Sequence, residues 1–273
     1  TIIKIPYGIP SMDNTAPPMT HGELVVIAGR PGNCKTALAT HIADNISSMG
    51  HSTLFISREM SEEQLGRRTI KHLIDDIDES NWKDDSSYIE VKKRLNKHYL
   101  QKGKSGIYYA DSGKQIDDVE ACVERHIQDY GVSLVIIDYL GLVTAGKFTK
   151  KDDQAEVTQR VKAIAKRHNV TVIALAQLNR GGGKDRDVPF NLETGPTYAD
   201  LKDTGAIEEE ADYILGVSWN YKIKPSDYHE NEYRIWWLKS RSGEIDYHGL
   251  PFLRLNIDKN TLSFSDWAGT SDF

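Results

Sequence analysis

The strongest constraint on the fold of this 273-residue chain is a short glycine-bearing segment, GRPGNCKT, at residues 29–36. It follows the apolar run at residues 24–28, which is typical of a buried strand, and a helix is predicted to begin at about Thr36. A strand, a tight loop and a helix in this order point backbone N–H groups and the helix dipole at a bound anion. The segment therefore predicts a phosphate-binding loop in an α/β fold.

Two side chains of this segment have expected roles toward a nucleotide. Lys35 would reach the outer phosphates, and the hydroxyl of Thr36 would hold Mg²⁺. The residues expected to contact the nucleotide are Gly29, Arg30, Pro31, Gly32, Asn33, Cys34, Lys35, Thr36 and Ala37.

Cys34 departs from the pattern G-x-x-x-x-G-K-[ST], which has glycine at that position. Without this glycine, the remaining pattern arises by chance in about one chain in ten of this length. Its position between a strand and a helix therefore carries the assignment. Because residue 34 opens a helix, we expect that it needs no positive φ and that the small thiol is tolerated.

Composition is that of an ordinary globular protein, with 39% hydrophobic and 27% charged residues and no apolar run as long as a membrane span. Cys34 and Cys122 are too few for a disulfide framework, and nine histidines lack the spacing of zinc ligands. The net charge of −6 argues against coating a polyanion with the whole surface but permits a local basic groove. We expect a cytoplasmic protein, of a cell or of a phage acting in its host, with no membrane partner.

Apolar runs alternate with helical patterns along most of the chain, and the runs are apolar without alternation. This predicts an α/β fold with a mainly parallel, twisted sheet and helices on both faces. The last third has strand-like runs at 213–219, 233–239, 250–257 and 261–265, and the final two are expected to form a β-hairpin. We expect residues 1–20 to form an irregular lead-in or linker and residues 21–273 to form a single domain.

Polar side chains follow three apolar runs at the carboxyl ends of predicted strands, where ligands bind in such sheets. Asp138 could support Mg²⁺ beside the phosphates, and Glu59 could orient and deprotonate an attacking water. Gln177 could contact the terminal phosphate and signal its presence to the loop that follows. Taken singly, Asp138 has the alternative of an ordinary strand-end residue, Glu59 that of a solvated surface residue and Gln177 that of a strand cap.

Cations follow later in the chain. Lys239 and Arg241 lie one residue apart behind a late strand, so both can point the same way and stabilise a transferring phosphate as an arginine finger does. A solvated pair is their alternative role. Two loops, 141–152 and 179–200, follow Asp138 and Gln177. The basic residues in or beside these loops are Lys147, Lys150, Lys151, Arg180, Lys184, Arg186 and Lys202.

Six segments in order resemble the successive motifs of the RecA-like ATPase domain of DnaB-type replicative DNA helicases. They are HGELVVIAGRP, SREMSEEQLGRR, LVIIDYLGLV, VIALAQLNR, DLKDTGAIEEEAD and KSRSG, and the second and fifth are the most specific. The resemblance implies an ATP hydrolase with ATP and Mg²⁺ as cofactors, and with Lys35 and Thr36 on phosphate and metal. It further implies that Glu59 is the catalytic base, Asp138 the carboxylate beside Mg²⁺ and Gln177 the phosphate sensor. Lys239 and Arg241 would then act in the neighbouring subunit's site.

The resemblance also implies partners. It suggests a ring of six subunits that moves on single-stranded DNA, with the two basic loops contacting the DNA backbone. Few aromatic residues interleave with these cations, so backbone contact rather than base stacking is expected. Primase, a loader or a polymerase are the further partners that such a helicase suggests. The family's usual amino-terminal collar domain is not among the six segments, so we expect either a fragment or a short form of phage type.

Three functions remain open from the sequence. The first is the ATP-driven helicase motor. The second is a relative in the recombinase or clock-ATPase branch of the same fold, against which SREMSEEQL and DLKDTGAIEEEAD argue. The third is a nucleotide-binding interaction protein that no longer turns over because of Cys34.

Overall fold

The computed structural model describes residues 3–71, 74, 76–77, 85–100, 105–111, 113–179, 190–201 and 205–268. Its strands are β1 (Lys4–Ile5), β2 (Met19–Thr20), β3 (Leu24–Gly29), β4 (Thr53–Ser57), β5 (Ile107–Ala110), β6 (Leu134–Asp138), β7 (Thr171–Gln177), β8 (Tyr213–Ser218), β9 (Glu232–Ser240), β10 (Leu253–Ile257) and β11 (Phe264–Asp266). Its helices are α1 (Pro10–Thr15), α2 (Lys35–Ser48), α3 (Glu62–Ile70), α4 (Asp85–Leu100), α5 (Ile116–Tyr130), α6 (Lys150–His168) and α7 (Gly205–Glu210).

A large sheet organises these elements, with the strand order β11-β10-β9-β8-β3-β7-β6-β4-β5 in the described part of the chain. The six strands from β8 to β5 are parallel, and β9, β10 and β11 continue the sheet as antiparallel strands. The mainly parallel sheet with a carboxyl-terminal hairpin is therefore confirmed.

Apolar side chains of each central strand point alternately to two cores, one on either face of the sheet. In β3, Val25 and Ile27 pack in the core that also contains Leu38 and Ile42 of α2. Leu24, Val26 and Ala28 pack in the other core, with α5 and α6. Because both faces are covered, β3 is buried along its whole length, which explains its unbroken apolar sequence.

The expectation of an irregular lead-in needs correction. Residues 4–20 contain β1, α1 and β2, and β1 pairs with β2. Tyr7 and Met12 are completely buried in the same core as α2, and Asn45 donates a hydrogen bond of 2.8 Å to the carbonyl of Gly8. The prolines and glycines break up the periodicity here, but the large apolar residues between them still cover the domain core.

The segment that follows β4 has the local structure that its sequence predicts. Ser61 and Gln64 form a reciprocal capping box that starts α3. Helix α4 lies within the polar stretch 75–105. In the described residues, every helix is too short or too polar to cross a bilayer.

Candidate active site

The carboxyl ends of the parallel strands meet at one edge of the sheet, and the strand register brings the expected site residues together there. Gly29 lies opposite Gln177, and Ser57 lies opposite Asp138. A cleft of about 290 Å³ opens at this edge. The residues that line it are Pro31, Gly32, Cys34, Lys35, Thr36, Ala37, Glu59, Met60, Arg68, Tyr139, Gln177, Lys222 and Leu262.

The path of the phosphate loop (residues 29–36) depends on close backbone approach and on an internal anchor. A Cβ at Gly29 would lie 2.9 Å from Val217 Cγ2 of β8, so only glycine fits. The side-chain oxygen of Asn33 accepts a hydrogen bond of 2.8 Å from the backbone N–H of Trp219. The hydroxyl of Tyr233 donates to the Asn33 carbonyl, also at 2.8 Å. Asn33 is buried and its side chain faces the protein, so it shapes the loop rather than pointing into the cleft.

Cys34 corrects one of our expectations, because its φ is 55° and its ψ is 27°. Helix α2 begins at Lys35, so Cys34 is the cap residue, and the loop rather than the helix sets its backbone conformation. This left-handed region costs a residue with a Cβ roughly 1–2 kcal/mol. The argument that residue 34 needs no positive φ is therefore wrong. Burial raises the pKa of the Cys34 thiol, so the group stays protonated at neutral pH.

Lys35 lies inside the cleft and is largely buried. Its Nζ donates a hydrogen bond of 3.0 Å to the carbonyl of Arg30, which holds the amine across the loop. Burial lowers the pKa of Lys35 from its usual value, while the nearby carboxylates of Asp138 and Glu59 act in the opposite direction. A cation in this position is available to an anionic ligand that reaches the loop.

Thr36 and Asp138 come together from sequence positions 102 residues apart. The Thr36 hydroxyl donates a hydrogen bond of 2.8 Å to Oδ2 of Asp138. Asp138 is buried, and this burial raises its pKa although the bond from Thr36 acts to lower it. A hydroxyl and a carboxylate are hard oxygen donors of the kind that Mg²⁺ prefers. The residues present therefore fit the expected metal.

Glu59 and Gln177 both line the cleft, as the sequence predicts. The turn that presents Glu59 is fixed by Ser57, whose Oγ accepts the backbone N–H of Met60 at 3.0 Å. Gln177 also borders a second, smaller cavity of about 50 Å³, which Lys150 and Gln154 at the start of α6 line from the other side. Gln177 thus lies between the nucleotide-sized cleft and the beginning of α6.

Sequence reasoning missed Arg68, Tyr139 and Lys222, which also line the cleft. Arg68 ends the segment SREMSEEQLGRR and Tyr139 directly follows Asp138, so both had a signal in their position within a motif. Lys222 lies in a short 3₁₀ turn after β8 and had none, because only the sheet order brings that turn beside the phosphate loop.

Unlike Asp138, Glu59 and Gln177, the residues Lys239 and Arg241 lie at the opposite edge of the sheet from the phosphate loop. Since β9 is antiparallel to β8, Ser240 lies opposite Tyr213, and Tyr213 lies opposite Val25 near the start of β3. Val25 lies four residues before Gly29 in β3. At roughly 3.3 Å per residue, Ser240 is therefore about 13 Å from Gly29 along the strand direction.

Both cations are held by the segment that leads into β8. Arg241 forms an ion pair of 3.0 Å with Asp212 and donates a hydrogen bond of 3.2 Å to the carbonyl of Glu209. Lys239 donates to the carbonyl of Glu208, so the two side chains do extend in the same direction. Asp212 is buried and also pairs at 2.5 Å with Lys162 of α6. The side chain of Arg241 nevertheless remains half exposed.

The expected basic loops are described only in part. Lys147 is exposed in the loop before α6, whereas Lys150 and Lys151 belong to the first turn of that helix, so the first loop ends at Thr149. Arg180, Lys184, Arg186 and Lys202 lie outside the described residues. Their role stays a prediction.

A phosphate loop beside a buried carboxylate, at the carboxyl edge of a mainly parallel sheet, defines a nucleotide-binding domain of the RecA-like class. The chain belongs to the family described as the DnaB-like helicase C terminal domain, whose model matches residues 4–260. This confirms the family resemblance found in the sequence.

Two curated relatives illustrate the family. The replicative DNA helicase DnaC of Bacillus subtilis is 28% identical over 258 residues, which cover 93% of this chain and 55% of the relative. The replicative DNA helicase DnaB of Helicobacter pylori is 31% identical over 235 residues, which cover 83% of this chain and 46% of the relative. The chain thus spans about half the length of the curated relatives it matches.

Two solved structures share the fold. One is a separately solved ATPase domain, which has a TM-score of 0.80 at 21% identity, over 98% of this chain and 92% of that one. The other is a DnaB-like replicative helicase, whose structure was reported with its interactions with primase, and it also has a TM-score of 0.80 at 21% identity. It is matched over 98% of this chain and 62% of its own length. At this identity the likeness concerns the fold alone.

Proposed function

We propose that this chain is the ATP-driven motor domain of a ring-forming replicative DNA helicase that moves along single-stranded DNA. The observation that carries the proposal is the hydrogen bond between Thr36 and Asp138, beside Lys35 and in contact with a cleft that Glu59 and Gln177 also line. A loop residue and a strand-end carboxylate joined in this way form the metal and phosphate site of phosphate-loop ATPases. Membership of a helicase family supports the same function.

Five residues in or beside the cleft take defined parts in the proposed ATP hydrolysis. Lys35 exchanges the Arg30 carbonyl for the outer phosphates, and the loop N–H groups bind the same anion. Thr36 and Asp138 would hold Mg²⁺, which neutralises phosphate charge when it is bound. Glu59 orients the attacking water and accepts its proton. Gln177 contacts the terminal phosphate. Because Gln177 and Lys150 line the same small cavity, a movement of the Gln177 side chain can reach the start of α6.

Lys239 and Arg241 complete the site of a neighbouring subunit. Measured along the strand direction, they lie about 13 Å from the phosphate loop of their own subunit, and the Arg241 side chain is half exposed. A head-to-tail contact sets this edge of one subunit against the cleft of the next, and repetition of that contact closes a ring, for which we propose six subunits. Hydrolysis then depends on assembly.

Single-stranded DNA is the proposed track, contacted by Lys147, Lys150, Lys151 and the basic residues beyond the described part of the chain. Primase, a loader or a polymerase are proposed as further partners in replication, in the cytoplasm of a cell or of a phage host. Family membership argues against the recombinase and clock-ATPase alternative.

A second candidate function rests on Cys34. Its left-handed conformation sets a side chain where the backbone approaches the phosphates, and that observation favours a nucleotide-binding interaction protein without turnover. The proposed enzyme and this alternative differ in whether bound ATP is hydrolysed.

The proposed function is tested by Glu59→Gln, which keeps the size of the side chain but cannot accept a proton. We expect unchanged Mg-ATP binding in calorimetry and a loss of hydrolysis of about 10²-fold or more, the typical contribution of a general base. Glu63→Gln is the matched control, because Glu63 lies in the same motif, exposed, and pairs with Arg67. If Glu59→Gln hydrolyses ATP at a rate within a few-fold of the parent rate, Glu59 is not the catalytic base.

A further inference from the structure

Phe148 is the most exposed large hydrophobic residue in the described part of the chain, with a relative exposure of 109%. It lies in the short segment between the buried Val143 and helix α6, with Lys147 on one side and Lys150 and Lys151 just beyond the helix cap. A fully exposed aromatic ring is unfavourable in water and gains free energy when a partner covers it. Its environment indicates which partner.

The segment that carries Phe148 (residues 143–149) is anchored on both sides of the ring. Oδ1 of the buried Asp153 accepts the backbone N–H groups of Ala145 and Lys147, each at 2.9 Å. On the other side, the hydroxyl of Thr149 caps α6 by accepting the N–H of Asp152 at 3.1 Å. Phe148 is thus presented outward by a backbone that is hydrogen-bonded immediately before and after it.

The surface around the ring is cationic. Lys147, Lys150 and Lys151 are all exposed, whereas Asp153 is buried and bound to the loop backbone. Asp152, in the first turn of α6, is also exposed and accepts a hydrogen bond of 2.6 Å from Thr149, so three lysines outnumber one exposed carboxylate here. An aromatic face between lysines matches a partner that combines flat apolar groups with a regular array of negative charges, which is the chemistry of a single-stranded nucleic acid.

We propose that Phe148 stacks on a base of single-stranded DNA while Lys147 and Lys150 contact the flanking phosphates. The inference rests on the proposed function and deepens it, because it adds a base contact to a surface for which only backbone contact was expected. Stacking is tolerant of sequence, since every base has an aromatic face, and so it suits a motor that must pass any sequence.

The size of the effect follows from the chemistry of stacking. One base stacked on an aromatic side chain contributes about 1–3 kcal/mol, which corresponds to a change in affinity of about 5- to 150-fold. Stacking releases no counterions, whereas each phosphate contact made by a lysine does. Loss of the ring should therefore weaken binding without changing its dependence on salt.

The experiment measures binding of a fluorescent oligo(dT) strand over a series of salt concentrations, in the presence of a non-hydrolysable ATP analogue. For Phe148→Ala we expect affinity about 5- to 150-fold weaker, with the slope of log affinity against log salt equal to that of the parent. Lys147→Ala should instead reduce the slope. Leu250→Ala removes a half-exposed apolar side chain elsewhere and is the matched control, with unchanged affinity.

A second variant, Phe148→Trp, provides a direct signal. It should bind at least as tightly as the parent, and the emission that it adds to that of the five native tryptophans should be quenched when DNA binds. The stacking contact is overturned if Phe148→Ala binds DNA with the affinity of the parent. It is also overturned if DNA does not quench the emission of the tryptophan added in Phe148→Trp.

The alternative partner is a neighbouring subunit, and native mass spectrometry distinguishes it. Phe148→Ala is compared with the parent and Leu250→Ala at a protein concentration where both of these form rings of subunits. If Phe148→Ala forms no such rings, the Phe148 side chain belongs to a contact between subunits and the inference is overturned. A parent that fails to bind oligo(dT) at any salt concentration refutes the proposed helicase function itself. If the parent binds oligo(dT) and Phe148→Ala binds it equally well, only the stacking contact is refuted.

Discussion

Replacing Cys34 by glycine should stabilise the protein, and the structure indicates by how much. The left-handed backbone at φ 55° and ψ 27° costs a residue with a Cβ roughly 1–2 kcal/mol. Glycine avoids this cost but loses about 0.5–1 kcal/mol more conformational entropy when the chain folds. The mid-range net gain is about 0.75 kcal/mol, within a range of about 0–1.5 kcal/mol. At about 2–4 °C per kcal/mol for a chain of this length, the mid-range gain raises the melting temperature by about 1.5–3 °C.

The matched control is Cys34→Ala, which removes the thiol but retains the Cβ and therefore the strained conformation. Thermal unfolding without nucleotide should give a higher melting temperature for glycine than for alanine, with alanine at or below the parent. Since Cys34 also lines the cleft, affinity for Mg-ATP in calorimetry should be equal or higher in the glycine variant.

Two outcomes would refute this reasoning. If the glycine variant melts at or below the alanine variant, the backbone at residue 34 is not strained in solution. If glycine clearly weakens nucleotide binding, the cysteine is adapted to this loop rather than tolerated, and the steric argument is wrong.

Two further predictions concern the phosphate loop and the opposite edge of the sheet. Lys35→Ala should lose Mg-ATP binding in calorimetry, because the cation inside the cleft is removed, and unchanged affinity would refute the phosphate-loop assignment. Arg241→Ala should lower turnover by roughly 10³–10⁵, the contribution of an arginine finger. Mixing Arg241→Ala with Lys35→Ala subunits should restore part of the hydrolysis, because some junctions then join an intact loop to an intact finger. Mixed rings that form but regain no activity, or a fully active isolated subunit, would contradict an action of Arg241 on the neighbour.

Much of the cleft could be predicted because its residues follow unbroken apolar runs. Buried parallel strands must be apolar on both faces, so β3, β6 and β7 are visible in the sequence, and the polar residues that end β6 and β7 are visible with them. Parallel neighbours then bring those ends to one edge. For this reason Asp138 and Gln177 lie where the sequence predicted, although their chemical roles stay predictions.

The remaining features depend on geometry that residue type does not record. Left-handed Cys34 directly follows Asn33, whose side chain is bound to Trp219, 186 residues further along the chain. The position of Arg241 depends on the direction of β9, and an antiparallel strand has the same composition as a parallel one of equal burial. The exposure of Phe148 could not be predicted either, since phenylalanine is usually a buried residue.

DNA-stimulated ATP hydrolysis tests the central claim most directly. Purified protein, at a concentration where native mass spectrometry shows rings, is supplied with Mg-ATP with and without single-stranded DNA. A motor that moves along DNA should hydrolyse ATP several-fold faster when the strand is present, and the increase should disappear in Glu59→Gln and persist in Glu63→Gln. Tight ATP binding with no hydrolysis, in rings that also bind the strand, would contradict the motor and support a nucleotide-binding protein without turnover.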